Sequence, residues 1–206
     1  MKIGVLALQG DFALHASMLR RCHSGGKTGI EVVEVRKPEE CEGIDGLVIP
    51  GGESTTLLKL IEEWRFVPAL EKFHEAGKPI FGTCAGLILL ARDVENPRQF
   101  SLGLIDVGVE RNAYGRQRES FAVKGEVDLD GARHPFELVF IRAPRIRRVG
   151  PGVTTLARHG AEPVMAREGS VLVATFHPEL TNDPSIHEYF CRMVSSAMSR
   201  VAGDRV

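Results

Sequence analysis

Apolar positions along the chain follow two rhythms, and the change comes near residue 92. In the first half, short unbroken apolar runs alternate with stretches whose apolar residues recur every three or four positions. Residues 3–8 form an uninterrupted apolar run, as expected of a central parallel strand covered on both faces. Gln9-Gly10-Asp11 ends it, and Asp11 is placed to cap a helix carrying Phe12, Leu14, Met18 and Leu19. A Gly-rich connection from Ser24 to Gly29 leads to a strand over Glu31–Val35. Leu47-Val48-Ile49 is another buried strand, broken by Pro50-Gly51-Gly52-Glu53. Ser54-Thr55-Thr56 then opens a helix with Leu57, Leu58, Leu60 and Ile61. A helix over 68–76 stops at Gly77, a strand over 79–81 follows, and a helix-forming run over 87–91 closes the half. Such strand–helix alternation predicts a doubly wound parallel sheet.

The second half reads as short strands at 103–111, 120–128, 135–141, 153–157, 163–167 and 171–175, with a tight turn at Asp130-Gly131. These fit antiparallel additions to a mixed sheet that returns to the core at 171–175. Asn182-Asp183-Pro184 starts a last helix with Ile186, Tyr189, Phe190, Met193, Val194 and Ala197 on one face, and 201–206 reads as a frayed end. The expectation is an α/β fold in three layers, with a doubly wound, largely parallel sheet and one domain over 1–206.

Composition narrows the partners. A formal net charge of −1 gives no reason to expect nucleic acid or a membrane surface, and no run approaches a membrane span. Cys22, Cys41, Cys84 and Cys191 are scattered, without Cys-x-x-Cys or Cys/His metal spacing. They read as free thiols of a cytoplasmic protein, with neither a metal nor a cofactor expected.

Candidate chemistry centres on Gly82-Thr83-Cys84-Ala85-Gly86. Preceded by a strand and followed by a helix, this is the setting of a nucleophile elbow with Cys at its tip. A sulfur at a helix start is favoured as thiolate. The competing reading is an inert buried thiol. A Cys nucleophile needs a base, and the base an orienting group. His15, His23, His74 and His187 fall in or beside predicted helices and read as surface or internally satisfied, while His134 and His159 lie near turns. His177 directly follows a buried strand, at the kind of strand end where open α/β sheets bind ligands. Pro178 favours an extended backbone at His177, which would put Glu179 on the same side and within reach of the ring. Ala85 offers one oxyanion-hole amide, and the Pro50-Gly51-Gly52-Glu53 turn a second, at Gly52. Gly-x-Gly-x-x-Gly and Gly-Lys-Ser/Thr are absent, which argues against a nucleotide site. Arg111, Arg142, Arg145, Arg147 and Arg148 fit either a carboxylate handle or a solvated face.

Together, Cys84 in its elbow, His177-Pro178-Glu179 and the run from Pro50 to Thr56 resemble the class I (triad) glutamine amidotransferases. Leu8-Gln9-Gly10, Val109-Glu110-Arg111-Asn112, Tyr114-Gly115-Arg116-Gln117 and Phe140-Ile141-Arg142-Ala143-Pro144 bring the resemblance closer to the glutaminase subunits of pyridoxal 5′-phosphate synthase. The resemblance implies Cys84 as nucleophile, His177 as base and Glu179 as orienter. It also implies Gly51, Gly52, Glu53, Arg111, Ile141 and Arg142 on L-glutamine. The implied reaction yields L-glutamate and ammonia through a γ-glutamyl thioester. Ammonia would pass to a synthase subunit, twelve of each in the complex, that also switches the glutaminase on. Gln9-Gly10-Asp11 would lie near that interface, and the stretch from Cys22 to Gly29 is longer than the family's usual turn. The alternatives are the glutaminase of another amidotransferase, such as imidazole glycerol phosphate synthase, a stand-alone γ-glutamyl cysteine hydrolase, or a non-catalytic module.

Overall fold

The structure, a computed structural model, describes residues 1–22, 29–111 and 120–203, the side chains of 201–203 excepted. The added length after Cys22, His23, Asn112, the Tyr114-Gly115-Arg116-Gln117 run and the tail 204–206 lie outside the described residues.

The first five elements come in the order the hydrophobic pattern predicts: β1 (Lys2–Leu6), α1 (Phe12–Arg21), β2 (Glu31–Val35), β3 (Gly46–Ile49) and α2 (Ser54–Glu63). Next come α3 (Val67–Glu75), β4 (Ile80–Thr83), α4 (Ala85–Leu90), β5 (Ala91–Glu95) and β6 (Ile105–Glu110). The hairpin β7 (Ser120–Leu129) and β8 (Ala132–Ile141) follows, then β9 (Arg145–Val149), β10 (Thr154–His159), β11 (Glu162–Glu168), β12 (Val171–Ala174) and α5 (Ser185–Gly203).

A nine-stranded sheet runs β2-β1-β3-β4-β12-β11-β10-β7-β8. Its first five strands are parallel and its last four antiparallel. The return of the chain to the core at β12, read from the sequence, is therefore a parallel strand inserted between β4 and the antiparallel half.

Strand periodicity distributes the core over both faces. Ile3, Val5, Val48, Phe81, Leu172 and Ala174 point to the side packed by α1 and α5, with Leu19, Ile186 and Phe190. Leu6, Leu47, Ile49, Ile80, Val171 and Val173 point to the other side, against Leu57 and Ile61 of α2, Leu70 and Phe73 of α3, and α4. These are the three layers, and burial on both faces is what an uninterrupted apolar strand requires.

Some details differ from the expectation. A separate three-stranded sheet, β5-β6-β9, stands beside the main one, where the sequence suggested a single mixed sheet. Helix α1 buries His15, Ala16, Met18 and Leu19, while Leu14 stays exposed. Asp11 occupies the N-cap position without accepting a capping hydrogen bond. Just ahead of α5, Asp183 Oδ1 accepts the Ser185 N–H at 2.9 Å. That helix continues through Gly203, past the start of the expected frayed end.

Register sets the working edge. Ala174 pairs with Thr83 and Ile49 with Gly82, so the carboxyl ends of β12, β4 and β3 lie side by side. The segments that follow them, beginning at Thr175, Cys84 and Pro50, leave the sheet at one place.

Candidate active site

Cys84 leaves β4 with φ 48° and ψ −101°, a backbone state that costs a non-glycine residue about 1–3 kcal/mol. Its surroundings hold it there. The Cys84 N–H donates to Ala174 O at 2.9 Å, and Cys84 O accepts the Ile88 N–H at 3.1 Å. The flanking glycines are steric necessities: a Cβ on Gly82 would meet the Gly86 carbonyl at 2.8 Å, and one on Gly86 would meet Ile49 O at 2.2 Å. The thiol is buried at the start of α4, whose first amides have no partner within the helix.

His177 and Glu179 come next to it from the far side of β12. His177 is buried, its N–H donates to Val139 O at 2.8 Å, and its Nδ1 lies 2.7 Å from Glu179 Oε1. The pairing holds for a different reason than expected. Pro178–Leu180 is a 3-10 turn, not extended chain, and the turn brings Glu179 back under the ring. The other ring nitrogen, Nε2, is buried with no hydrogen-bond partner among the described residues. Burial works against an imidazolium here, but Cys84 and Glu179 outweigh it and raise the His177 pKa to about 10. An imidazole that keeps its proton at neutral pH between a thiol and a carboxylate suits acyl transfer through sulfur.

The glycine turn after β3 presses on this pair. A Cβ on Gly51 would sit 2.5 Å from His177 Cε1 and 3.2 Å from Cys84 Cβ. Gly51 N–H donates to Thr83 Oγ1 at 3.0 Å, and Glu53 N–H donates to Gln9 Oε1 at 3.1 Å. Between them, Gly52 N–H has no acceptor among the described residues, and Gly52 (φ +143°) borders the cavity. Glu53 borders the cavity and also serves the fold. Its carboxylate caps α2, accepting Thr55 N–H at 3.0 Å, Thr56 N–H at 2.6 Å and the Thr56 hydroxyl at 2.9 Å.

A cavity of about 270 Å³ opens over the sulfur, walled by Gly52, Cys84, Arg111, Ile141, Arg142 and His177, with Asp11 and Glu53 also on its lining. Drug-sized ligands occupy about 300–1,000 Å³, so this volume suits something of amino-acid size. Arg111 is buried, and its Nη2 donates to Ser54 Oγ at 2.9 Å and Thr55 Oγ1 at 3.0 Å. Arg142 is exposed with φ 41°. Arg145, Arg147 and Arg148 face away into β9, where Arg148 pairs with Asp93 and Asp106 and Arg147 with Glu110 and Glu162. Asp11, His177 and Glu179 bring three ligand-type atoms within 4.8 Å of one another. Two of those residues already spend their atoms on each other, which leaves a poor donor set for a metal.

Two participants escaped the sequence reading. Thr83 Oγ1 receives the Gly51 amide, and His15 lies fully buried with Nε2 3.2 Å from both Thr83 Oγ1 and Glu179 Oε2. A signal existed: His15 stands three and four positions before Met18 and Leu19, on the apolar face of α1.

Comparison with known proteins places this geometry. The description of the SNO glutamine amidotransferase family matches residues 5–196. The pyridoxal 5′-phosphate synthase subunit PdxT of Koribacter versatilis is 54% identical over 199 residues, covering 97% of this chain and 98% of that one. The protein of the same name from Pelotomaculum thermopropionicum is 54% identical over 190 residues, covering 92% and 93%. A crystal structure described as a glutamine amidotransferase superposes with a TM-score of 0.84 at 49% identity, covering 94% of this chain and 98% of that one. A putative GMP synthase subunit from Thermoplasma acidophilum shares the fold at 18% identity, with a TM-score of 0.67 over 100% of this chain and 98% of its own.

Proposed function

Because the chain belongs to the SNO glutamine amidotransferase family, we propose that it is the glutaminase subunit of a pyridoxal 5′-phosphate synthase, a single unit over 1–206 that hydrolyses L-glutamine to L-glutamate and ammonia. The observation that carries the reading is His177, set between the thiol of Cys84 and the carboxylate of Glu179 at the floor of an amino-acid-sized cavity. The two relatives that bear this subunit's name along nearly their whole length support the choice of acceptor system.

His177 already carries its proton at neutral pH, and the Cys84 sulfur, as the thiolate of a thiolate–imidazolium pair, attacks the side-chain amide carbon of glutamine. The resulting oxyanion takes hydrogen bonds from the Ala85 and Gly52 amides, each such donor contributing about 2.7–4 kcal/mol in the transition state. As the C–N bond breaks, His177 returns its proton to the departing nitrogen, releasing ammonia and leaving the γ-glutamyl thioester. Water, deprotonated by the same imidazole, attacks the thioester, and the sulfur leaves with that proton to give glutamate. Glu179 holds the ring and stabilises its charged form. Arg142 and Arg111 supply positive charge for the α-carboxylate, Ile141 packs on the stem, and Gly51 and Glu53 keep the turn in shape.

The ammonia is handed to a synthase subunit, in a complex with twelve of each, in the cytoplasm. Among the described residues no helix is long and apolar enough to cross a membrane. The test is ammonia release from L-glutamine by the full chain, with and without a synthase subunit, for wild type and Cys84→Ala. Release that requires Cys84 and rises with the partner supports the reading. Release by Cys84→Ala at the wild-type rate refutes it.

A further inference from the structure

Glu179 has two carboxylate oxygens, and orienting His177 uses one. The second, Oε2, is buried and lies 3.2 Å from His15 Nε2, off the axis of a well-aligned hydrogen bond. Both side chains are fully buried, and an unattended carboxylate oxygen in such a place is costly. The same His15 nitrogen lies 3.2 Å from Thr83 Oγ1, the acceptor of the Gly51 amide. On the other side of the ring, His15 Nδ1 lies 3.0 Å from His187 Nε2 on α5. The Phe81 ring meets both imidazoles edge-on, with centroids at 6.2 and 6.0 Å, and closes the compartment.

The protons of this cluster follow from its chemistry. Burial pulls the His187 pKa down to about 3, so His187 is neutral. Its Nδ1 is buried without a partner, which suits a bare lone pair better than a stranded N–H. The His187 proton then sits on Nε2 and is donated to His15 Nδ1. That leaves the His15 proton on Nε2, facing Glu179 Oε2 and Thr83 Oγ1. Burial alone would protonate Glu179, yet His15 and His177 together hold its carboxyl far below the usual range.

We propose that His15 is a positioning residue of the triad: its Nε2–H holds the second oxygen of Glu179, His187 selects the tautomer that makes this possible, and Thr83 links the same nitrogen to the Gly51 amide. The groups facing His15 are Glu179 from the 3-10 turn and His187 from α5, with His177 and Asp11 beyond them. The role rests on the glutaminase reading and deepens it. Without the His15 donor, the second oxygen of Glu179 is left buried and unpaired, and its carboxylate orients and charges His177 less well.

The test is the rate of iodoacetamide alkylation of Cys84 in the full chain against pH, followed on the Cys84 peptide by mass spectrometry, with circular dichroism as the check on folding. For His15→Leu the midpoint is expected to rise by about one unit, the size of a lost hydrogen bond to a charged group. His15→Gln, which restores a donor, should stay with wild type. His187→Phe, which frees the tautomer, should give a smaller rise. An unmoved midpoint in folded His15→Leu, or a rise in His15→Gln equal to that in His15→Leu, would overturn the proposal. Should His15→Leu not fold, His187→Phe decides: a rise supports the role, and no rise overturns it. A purely packing role for His15 changes melting temperature but not this midpoint. A wild-type Cys84 without any thiolate-dependent reactivity would instead refute the glutaminase reading, and the His15 role with it.

Discussion

Cys84 and Cys41 are both buried, and each borders a cavity. Cys84 looks into about 270 Å³ at the carboxyl ends of the strands. Cys41 looks into a larger space of about 670 Å³ between the 3-10 turn Pro38–Cys41 and α3. Around Cys41 the charges are spent on the fold. Lys72 pairs with Glu42 at 2.8 Å, and Lys78 donates to the carbonyls of Glu42 and Ile44 and lies over the Phe73 ring. Burial, then the Glu40 charge, push the Cys41 thiol up to about 11, so it keeps its proton. At Cys84 the neighbour is an imidazole that holds its own proton against a carboxylate. Burial alone makes a cysteine inert, and the larger cavity is not the chemical one.

Exchanging the two thiols should expose the difference most sharply. With the synthase partner present, Cys84→Ala is expected to lose glutamine hydrolysis by at least about 10³-fold, the scale seen when a nucleophile is removed. Cys41→Ala should keep full activity and lose only about 1 kcal/mol of stability, read by denaturant unfolding. Equal activity losses would break the comparison. Next in size, His177→Ala is expected to cost about 10²–10⁴-fold in kcat. Glu179→Gln should cost less, because it disturbs orientation and leaves the base in place; steady-state kinetics that reverse this order would contradict the role given to Glu179. The pH dependence sharpens the contrast further. His177 stays charged up to about 10, so Cys84 should alkylate at neutral pH, while Cys41 should need pH near 11, a difference of at least about tenfold in rate at pH 7.

The smallest effect separates site from scaffold. Burial opposes the charge on Glu53, but the Thr55 and Thr56 amides and the Thr56 hydroxyl bring its pKa down to about 2. A lowered folded pKa means the capping stabilisation is present at neutral pH and fades as pH falls from the ordinary carboxylate range towards 2. Glu53→Ala should therefore cost about 0.5–2 kcal/mol at neutral pH and progressively less in acid, measured by urea unfolding.

What could be read from the chain was local. The strand–helix alternation, the elbow and the His177–Glu179 pair are set by neighbours within a few residues, where steric rules are strict. The misses depended on distant partners. Strand β9 reads as a basic cluster until Asp93, Asp106, Glu110 and Glu162 neutralise it from other segments. His15 reads as an ordinary helical histidine until His187, from the opposite end of the chain, meets it at 3.0 Å.

The central claim is that Cys84 attacks a bound glutamine. It is tested most directly by treating the full chain, together with its synthase partner, with a glutamine analogue that carries a chloromethyl ketone in place of the amide, then locating the adduct by mass spectrometry. The expected result is a single adduct on Cys84, absent from Cys84→Ala, suppressed by excess L-glutamine, and never found on Cys41. An adduct that L-glutamine does not suppress, or one that forms on another cysteine while Cys84 stays free, would contradict the account.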